Sequence, residues 1–102
     1  MGYLGGELII VNNDEKYGYV DREGKVIIPL QYENAESFQE RLGFMAVKKN
    51  EKYGVINVKN EVIAPFEYGI INRYLINSIG LSKDGELFYV NEEGDILLIS
   101  TK

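Results

Sequence analysis

The sequence contains no cysteine, no histidine and no tryptophan, and it has only two prolines. Without cysteine the chain can form no disulfide, thiol nucleophile or zinc–thiolate site, and it fits a reducing compartment. Without histidine it lacks the commonest general base and the commonest ligand of transition metals. These absences remove most of the usual routes to catalysis or metal binding.

Positive charge is also scarce: the chain has 16 acidic and 11 basic side chains, and its formal net charge is −5. The pair Lys48-Lys49 is the longest basic run, so the footprint that direct nucleic-acid binding requires is missing. No apolar run reaches the length of a membrane span, and the first residues do not have the pattern of a signal peptide. We therefore expect a cytoplasmic protein that binds neither nucleic acid nor membrane.

The chain does contain an internal repeat. Residues 16–29, KYGYVDREGKVIIP, return as residues 52–65, KYGVINVKNEVIAP, and a more divergent copy occupies residues 86–99. Repetition at this period is typical of proteins built from one supersecondary unit copied along the chain. It indicates architecture far more strongly than it indicates biochemical activity.

Each copy predicts short β-strands separated by tight turns, because β-branched and aromatic runs alternate with Asn, Asp and Gly. One apolar strand precedes each motif, so the full unit is a meander of three strands. We predict an all-β fold of three tandem antiparallel β-meander repeats, about nine short strands, forming a stacked or an open barrel-like sheet. The predicted single domain spans residues 1–102, with units at about 7–29, 43–65 and 79–99 and connectors at 30–42 and 66–78.

The turns give the sharpest local predictions. Gly24, Asn60 and Gly94 occupy equivalent positions, each shortly before a strand, and glycine and asparagine best tolerate a left-handed backbone. We therefore predict a positive φ at all three. Asp84-Gly85 is a strong signal for a two-residue hairpin turn.

The two prolines align as well. Pro29 and Pro65 are each predicted to end a third strand, since proline can close a strand or lie on a sheet edge but cannot lie inside a sheet. In the first connector, a helical turn is expected between Asn34 and Leu42. The second connector carries the apolar residues Ile70, Ile71, Tyr74, Leu75 and Ile76, which either cover the core or form an exposed patch.

The segment Lys16–Asp21, together with Gly24–Pro29 and Gln31-Tyr32-Glu33, resembles the WG (tryptophan–glycine) repeats of bacterial proteins. Residues 52–68 match less closely, and residues 86–99 match only in outline. The defining tryptophan is replaced by Tyr17, Tyr53 and Leu87. The resemblance implies a β-rich module of protein–protein interaction with no catalytic residues, and it makes the third copy a terminal cap.

The leading functional prediction is a non-catalytic protein-binding module that uses no cofactor and no metal. Tyrosine and exposed apolar side chains are favoured at interfaces, and loops carry function more often than strands do. The candidate protein-binding residues are Ile70, Ile71, Tyr74, Leu75, Tyr17, Tyr19 and Tyr53. For Tyr17 and Tyr53, packing between neighbouring units is the competing interpretation, and Tyr32 and Tyr68 are predicted to be packing residues.

Two alternatives stay open. One is a small acidic inhibitor, of the kind that a phage or mobile element encodes, that binds and blocks a nucleic-acid-handling enzyme. The other is a homo-oligomer that forms through the open edge strands. No carboxylate pair, activated serine, phosphate-binding loop or calcium loop is present in the sequence pattern, so we expect no enzymatic activity.

Overall fold

A computed structural model describes residues 7–38, 43–75 and 78–100. Every regular element in these ranges is a β-strand, as the alternation of β-branched residues and turn residues predicts. The strands are β1 (Ile9–Asn12), β2 (Tyr17–Val20), β3 (Val26–Tyr32), β4 (Asn34–Ala35), β5 (Phe44–Lys49), β6 (Lys52–Asn57), β7 (Val62–Tyr68), β8 (Ile70–Leu75), β9 (Ser78–Lys83), β10 (Glu86–Val90) and β11 (Ile96–Ser100).

The strands form three antiparallel sheets that follow chain order. The first sheet is β1-β2-β3, the second is β4-β5-β6-β7 and the third is β8-β9-β10-β11, and none of them closes into a barrel. The all-β fold of repeated meanders is therefore confirmed. The chain passes from the first sheet to the second at Glu33, which we call the first junction, and from the second to the third at Gly69, the second junction.

The middle sheet is buried on both faces. In β5, Met45 and Val47 pack in a core with residues of the first sheet, such as Tyr19 and Ile28. Ala46, between them, points to a second core that it shares with the third sheet. Because successive strand residues point to opposite faces, one strand serves both cores. The repeats are therefore stacked, and each outer sheet depends on the middle one to bury its inner face.

The strands extend further than predicted. β3 continues through Pro29 to Tyr32, and β7 continues through Pro65 to Tyr68, so the prolines do not end these strands. Both strands lie at a sheet edge, where a missing N–H donor costs no hydrogen bond. The stretches expected as connectors 30–42 and 66–78 thus contribute strand residues, including all of β4 and β8. The helical turn expected after Asn34 does not form in residues 34–38, and Leu42 lies outside the described residues.

The glycine of each Tyr-Gly pair is required by a large bulge in the neighbouring strand. Tyr17 pairs with Tyr32 and Tyr19 pairs with Ile28, so Pro29, Leu30 and Gln31 stand opposite Gly18 alone. A Cβ atom on Gly18 would clash with the Ile28 carbonyl and lie 2.8 Å from the Pro29 carbonyl carbon. The bulged backbone therefore approaches so closely that no larger residue fits without movement.

The second sheet repeats this arrangement and the third does not. Tyr53 pairs with Tyr68 and Val55 with Ala64, and a Cβ on Gly54 would lie 2.8 Å from the Ala64 carbonyl oxygen. In the third sheet Phe88 replaces the glycine and pairs directly with Leu98. The third copy has thus lost the glycine, the proline and the large bulge together.

The turns confirm the predicted backbone conformations. φ is +87° at Gly24, +64° at Asn60 and +84° at Gly94. In each of these turns, one side-chain oxygen at the start of the turn accepts two main-chain N–H groups, at distances of 2.9 to 3.0 Å. The residues that supply it are Asp21, Asn57 and Asn91. Asp84 and Gly85 also have positive φ, at +53° and +79°, which confirms the predicted hairpin turn.

Candidate functional site

The predicted site residues are distributed over all three sheets. Tyr17 and Tyr19 belong to the first sheet and Tyr53 belongs to the second. The backbone of Ile70, Ile71, Tyr74 and Leu75 forms β8 of the third sheet. The side chains of Tyr74 and Leu75, and the whole of Ile76, lie outside the described part of the chain.

The tyrosines of the repeats are mainly packing residues. Tyr19 is fully buried and its hydroxyl donates to the main-chain carbonyl of Glu36, so a partner cannot reach it. Tyr17 and Tyr53 are half-buried. The Tyr53 hydroxyl accepts a hydrogen bond of 3.1 Å from Asn34 Nδ2, which ties β6 to β4. Tyr32 and Tyr68 are each 3% exposed, and their predicted packing role is confirmed.

The first two residues of β8, Ile70 and Ile71, divide between the two roles that the sequence left open. Ile71 packs against the core between the second and third sheets. Its neighbour Ile70 is 58% exposed, the highest value among the large apolar side chains of the described residues. The alternation of a strand explains this division, since neighbouring side chains point to opposite faces.

Ile70 lies on an open groove of about 530 Å³ at the second junction. The groove is lined by Phe66, Gly69, Ile70 and the Asp84–Gly85 turn, and by the charged side chains of Lys52, Glu67 and Lys83. We call it the Gly69 groove. A Cβ atom on Gly69 would meet no atom within 4 Å, so the space above this residue is open.

Lys83 sets the electrostatics of the groove. Its Nζ atom lies 2.7 Å from Glu67 Oε1, 5.4 Å from the centre of the Tyr68 ring and 5.9 Å from that of Phe88. The hydrogen bond to Glu67 raises the pKa of Lys83, and burial raises the pKa of the Tyr68 hydroxyl. Both partners of the ion pair are partly exposed, so solvent screens their attraction and the pair adds little to stability. Its main effect is to hold a fixed ammonium group over two aromatic rings.

The sequence predicted Ile70 but missed the rest of this groove. No sequence motif marks Glu67, Gly69 or Lys83 as binding residues. The pair Asp84-Gly85 predicts a turn but not a binding surface. The signal that could have found the groove is a difference between copies, because Gly69 stands where the preceding copy has Glu33.

Two further observations concern metal binding and membrane spanning. Across residues 7–38, 43–75 and 78–100, no three acidic side chains gather as a metal site would require. The same ranges hold no helix with the length and apolar character needed to cross a bilayer.

The fold and the site together define a β-repeat protein in which stacked meanders leave a groove between the second and third sheets. The family model described as a WG-containing repeat matches residues 17–53 and 53–74, which is more than half of the 102 residues. The chain therefore belongs to the WG-repeat family. No curated protein and no solved structure was found to match it.

Proposed function

We propose that this WG-repeat chain is a non-catalytic module that binds another protein through the Gly69 groove. The observation that carries the proposal is the exposed Ile70 side chain on an open groove that charged side chains also line. An apolar centre with charged groups at its border is the usual composition of a protein-binding surface. A cytoplasmic location is part of the same proposal, since a chain without cysteine needs no oxidising compartment.

Family membership supports the proposal in general terms, because the resemblance implies interaction and no catalytic residues. The half-buried Tyr53 pairs with Tyr68, one residue before Gly69, and holds β4 in place through Asn34. Its role is to support the surface and not to contact the partner directly.

The test is capture of partner proteins by the immobilised chain, compared among the wild type, Ile70→Ser and Val26→Ser. Val26 is the matched control, because it is 53% exposed on β3 of the first sheet, at the other end of the stack. We expect Ile70→Ser to lose the captured protein and Val26→Ser to retain it. Equal capture by both variants, or equal loss, would contradict the proposal.

An acidic inhibitor of a nucleic-acid-handling enzyme is the second candidate, favoured by the net charge of −5. Steering by an acidic surface makes association strongly dependent on salt, since exposed charges are screened over about 10 Å at 0.1 M ionic strength. Burial of Ile70 depends little on salt. Association that is strongly salt-dependent and unchanged in Ile70→Ser would favour the inhibitor, whereas association that is lost in Ile70→Ser favours the groove.

A further inference from the structure

At the first junction, an internal carboxylate caps a tight turn. Glu33 Oε2 accepts the main-chain N–H of Asn50 at 2.8 Å, and Glu33 Oε1 accepts that of Glu51 at 3.0 Å. Both turn residues have positive φ, so their two N–H groups are available to a single carboxylate. Bonds of this kind, from N–H groups to an ionised carboxylate, are about twice as strong as neutral ones.

The second junction has the same backbone without the carboxylate. The N–H of Gly69 bonds to the Ser82 carbonyl at 3.0 Å, as the N–H of Glu33 bonds to that of Lys48 at 2.8 Å. The Asp84–Gly85 turn lies two residues beyond Ser82, just as Asn50 and Glu51 lie two residues beyond Lys48. Within the described residues, no protein group accepts the N–H of Asp84 or of Gly85.

We propose that the Gly69 groove binds a carboxylate side chain of a partner peptide, which occupies the position that Glu33 fills at the first junction. The carboxylate accepts the N–H groups of Asp84 and Gly85, and an apolar neighbour in the peptide packs on Ile70. This inference rests on the proposed protein-binding function, and it names the chemistry that the groove recognises.

The groove is lined by two cations, Lys52 and Lys83, and by two carboxylates, Glu67 and Asp84. Asp84 is exposed, so solvent screens its repulsion of a bound carboxylate. Lys52 is exposed and forms no ion pair with the described residues, so its ammonium group is available to an incoming carboxylate. The acidic Glu67 is already paired with Lys83, which reduces its repulsion of a second carboxylate. Gly69 has an ordinary backbone conformation and no atom within 4 Å of where its Cβ would lie, so no side chain fills the position that corresponds to Glu33.

The experiment is an NMR titration of the whole chain with the peptide acetyl-Leu-Glu-Leu-amide, following the main-chain amide signals. We expect the amide-proton signals of Asp84 and Gly85 to move downfield and to saturate at millimolar peptide concentrations. A short peptide with one charged side chain makes few contacts and so binds weakly. The matched peptide acetyl-Leu-Gln-Leu-amide should bind at least about tenfold more weakly, because the amide lacks the charge and the second equivalent oxygen. Sodium acetate at the same concentration should also bind more weakly, because it lacks the apolar neighbours.

Two variants of the chain complete the test. Gly69→Glu places a carboxylate where Glu33 has one and should abolish the shifts caused by the peptide, whereas Gly69→Ala should keep them. Equal binding of the two peptides, equal binding of acetate, or no movement of the Asp84 and Gly85 signals would overturn the inference. If capture of a protein still depends on Ile70 when the glutamate peptide fails, only the carboxylate assignment is lost and the protein-binding proposal stands.

Discussion

The hydroxyl of Tyr32 donates a hydrogen bond of 2.5 Å to Oδ1 of Asn60, and this bond joins the end of the first sheet to a turn of the second. Tyr32 is 3% exposed, and a buried hydroxyl without a partner is costly. Asn60 occupies the left-handed position that Gly24 and Gly94 occupy in the other copies. The one copy without glycine at this position thus supplies a side-chain acceptor to Tyr32.

This bond predicts coupling between Tyr32→Phe and Asn60→Gly. Tyr32→Phe should lower the free energy of unfolding by about 1 kcal/mol, the usual net value of one hydrogen bond. In Asn60→Gly, the loss of the acceptor is partly offset because glycine relieves the positive φ. A double-mutant cycle by urea denaturation should give a coupling of about 1 kcal/mol between the two sites. Strict additivity would show that the bond contributes nothing.

Stability should fall at alkaline pH. Burial raises the pKa of Tyr32 and of Tyr68, and the hydrogen bond to Glu67 raises the pKa of Lys83. A group whose pKa is higher in the folded state stabilises the fold while it is protonated in both states. This contribution is present below about pH 10, the ordinary pKa of tyrosine, and is lost as the pH rises above it.

The measurement is the urea midpoint as a function of pH. We expect little change from these groups between about pH 7 and 9 and a decline above about pH 10. Tyr32→Phe should make that decline shallower, because the variant has one fewer hydroxyl to ionise. A urea midpoint that increases as the pH is raised beyond about 10 would contradict the assigned directions.

Gly54→Ala should destabilise the chain far more than Gly69→Ala. A Cβ on Gly54 would lie 2.8 Å from the Ala64 carbonyl oxygen and 2.9 Å from Phe66 Cδ1, so the bulged strand must move. We expect a loss of about 1 to 3 kcal/mol, as for other overpacked sites. Gly69→Ala, which meets nothing within 4 Å, should stay within about 0.5 kcal/mol of the wild type. Thermal denaturation of the two variants compares them directly, and equal effects would refute the close approach.

Glu51→Gly should stabilise the chain. Glu51 has φ of +69° in a two-residue turn, a conformation that costs about 1 to 2 kcal/mol for residues with a Cβ atom. The replacement gives the turn an Asn-Gly dipeptide, which is preferred in such turns. Glycine also gains freedom in the unfolded chain, so the net gain should be about 0.5 to 1 kcal/mol. Lys52→Gly, one residue later at the start of β6, is the matched control and should destabilise. A loss of stability in Glu51→Gly would contradict the strain assigned to this turn.

Local features of the fold were predictable because they depend on single residues or on short spacing. The positive φ at Gly24, Asn60 and Gly94 was predictable because the three copies have only glycine or asparagine at this position. The continuation of β3 and β7 past their prolines did not follow, because it depends on these strands lying at sheet edges. Whether a strand lies at an edge is a property of the assembled sheet and cannot be predicted from the residues of that strand alone.

The groove was only partly predictable for a similar reason. Exposure of Ile70 was one of two open alternatives, and the alternation of side chains along β8 decided between them. Gly69 marks an open carboxylate position only by comparison with Glu33, whose carboxylate fills that position at the first junction. That role became visible only with the hydrogen bonds from Asn50 and Glu51 to its carboxylate.

The equivalence of the two junctions is the central claim, and amide-proton chemical shifts of Gly69→Glu test it without any ligand. If the junctions are equivalent, the new carboxylate will accept the N–H groups of Asp84 and Gly85 and move both amide protons downfield relative to Gly69→Ala. Glu33→Ala should move the amide protons of Asn50 and Glu51 in the opposite direction. Asp84 and Gly85 signals that coincide in the Gly69→Glu and Gly69→Ala variants would contradict the equivalence.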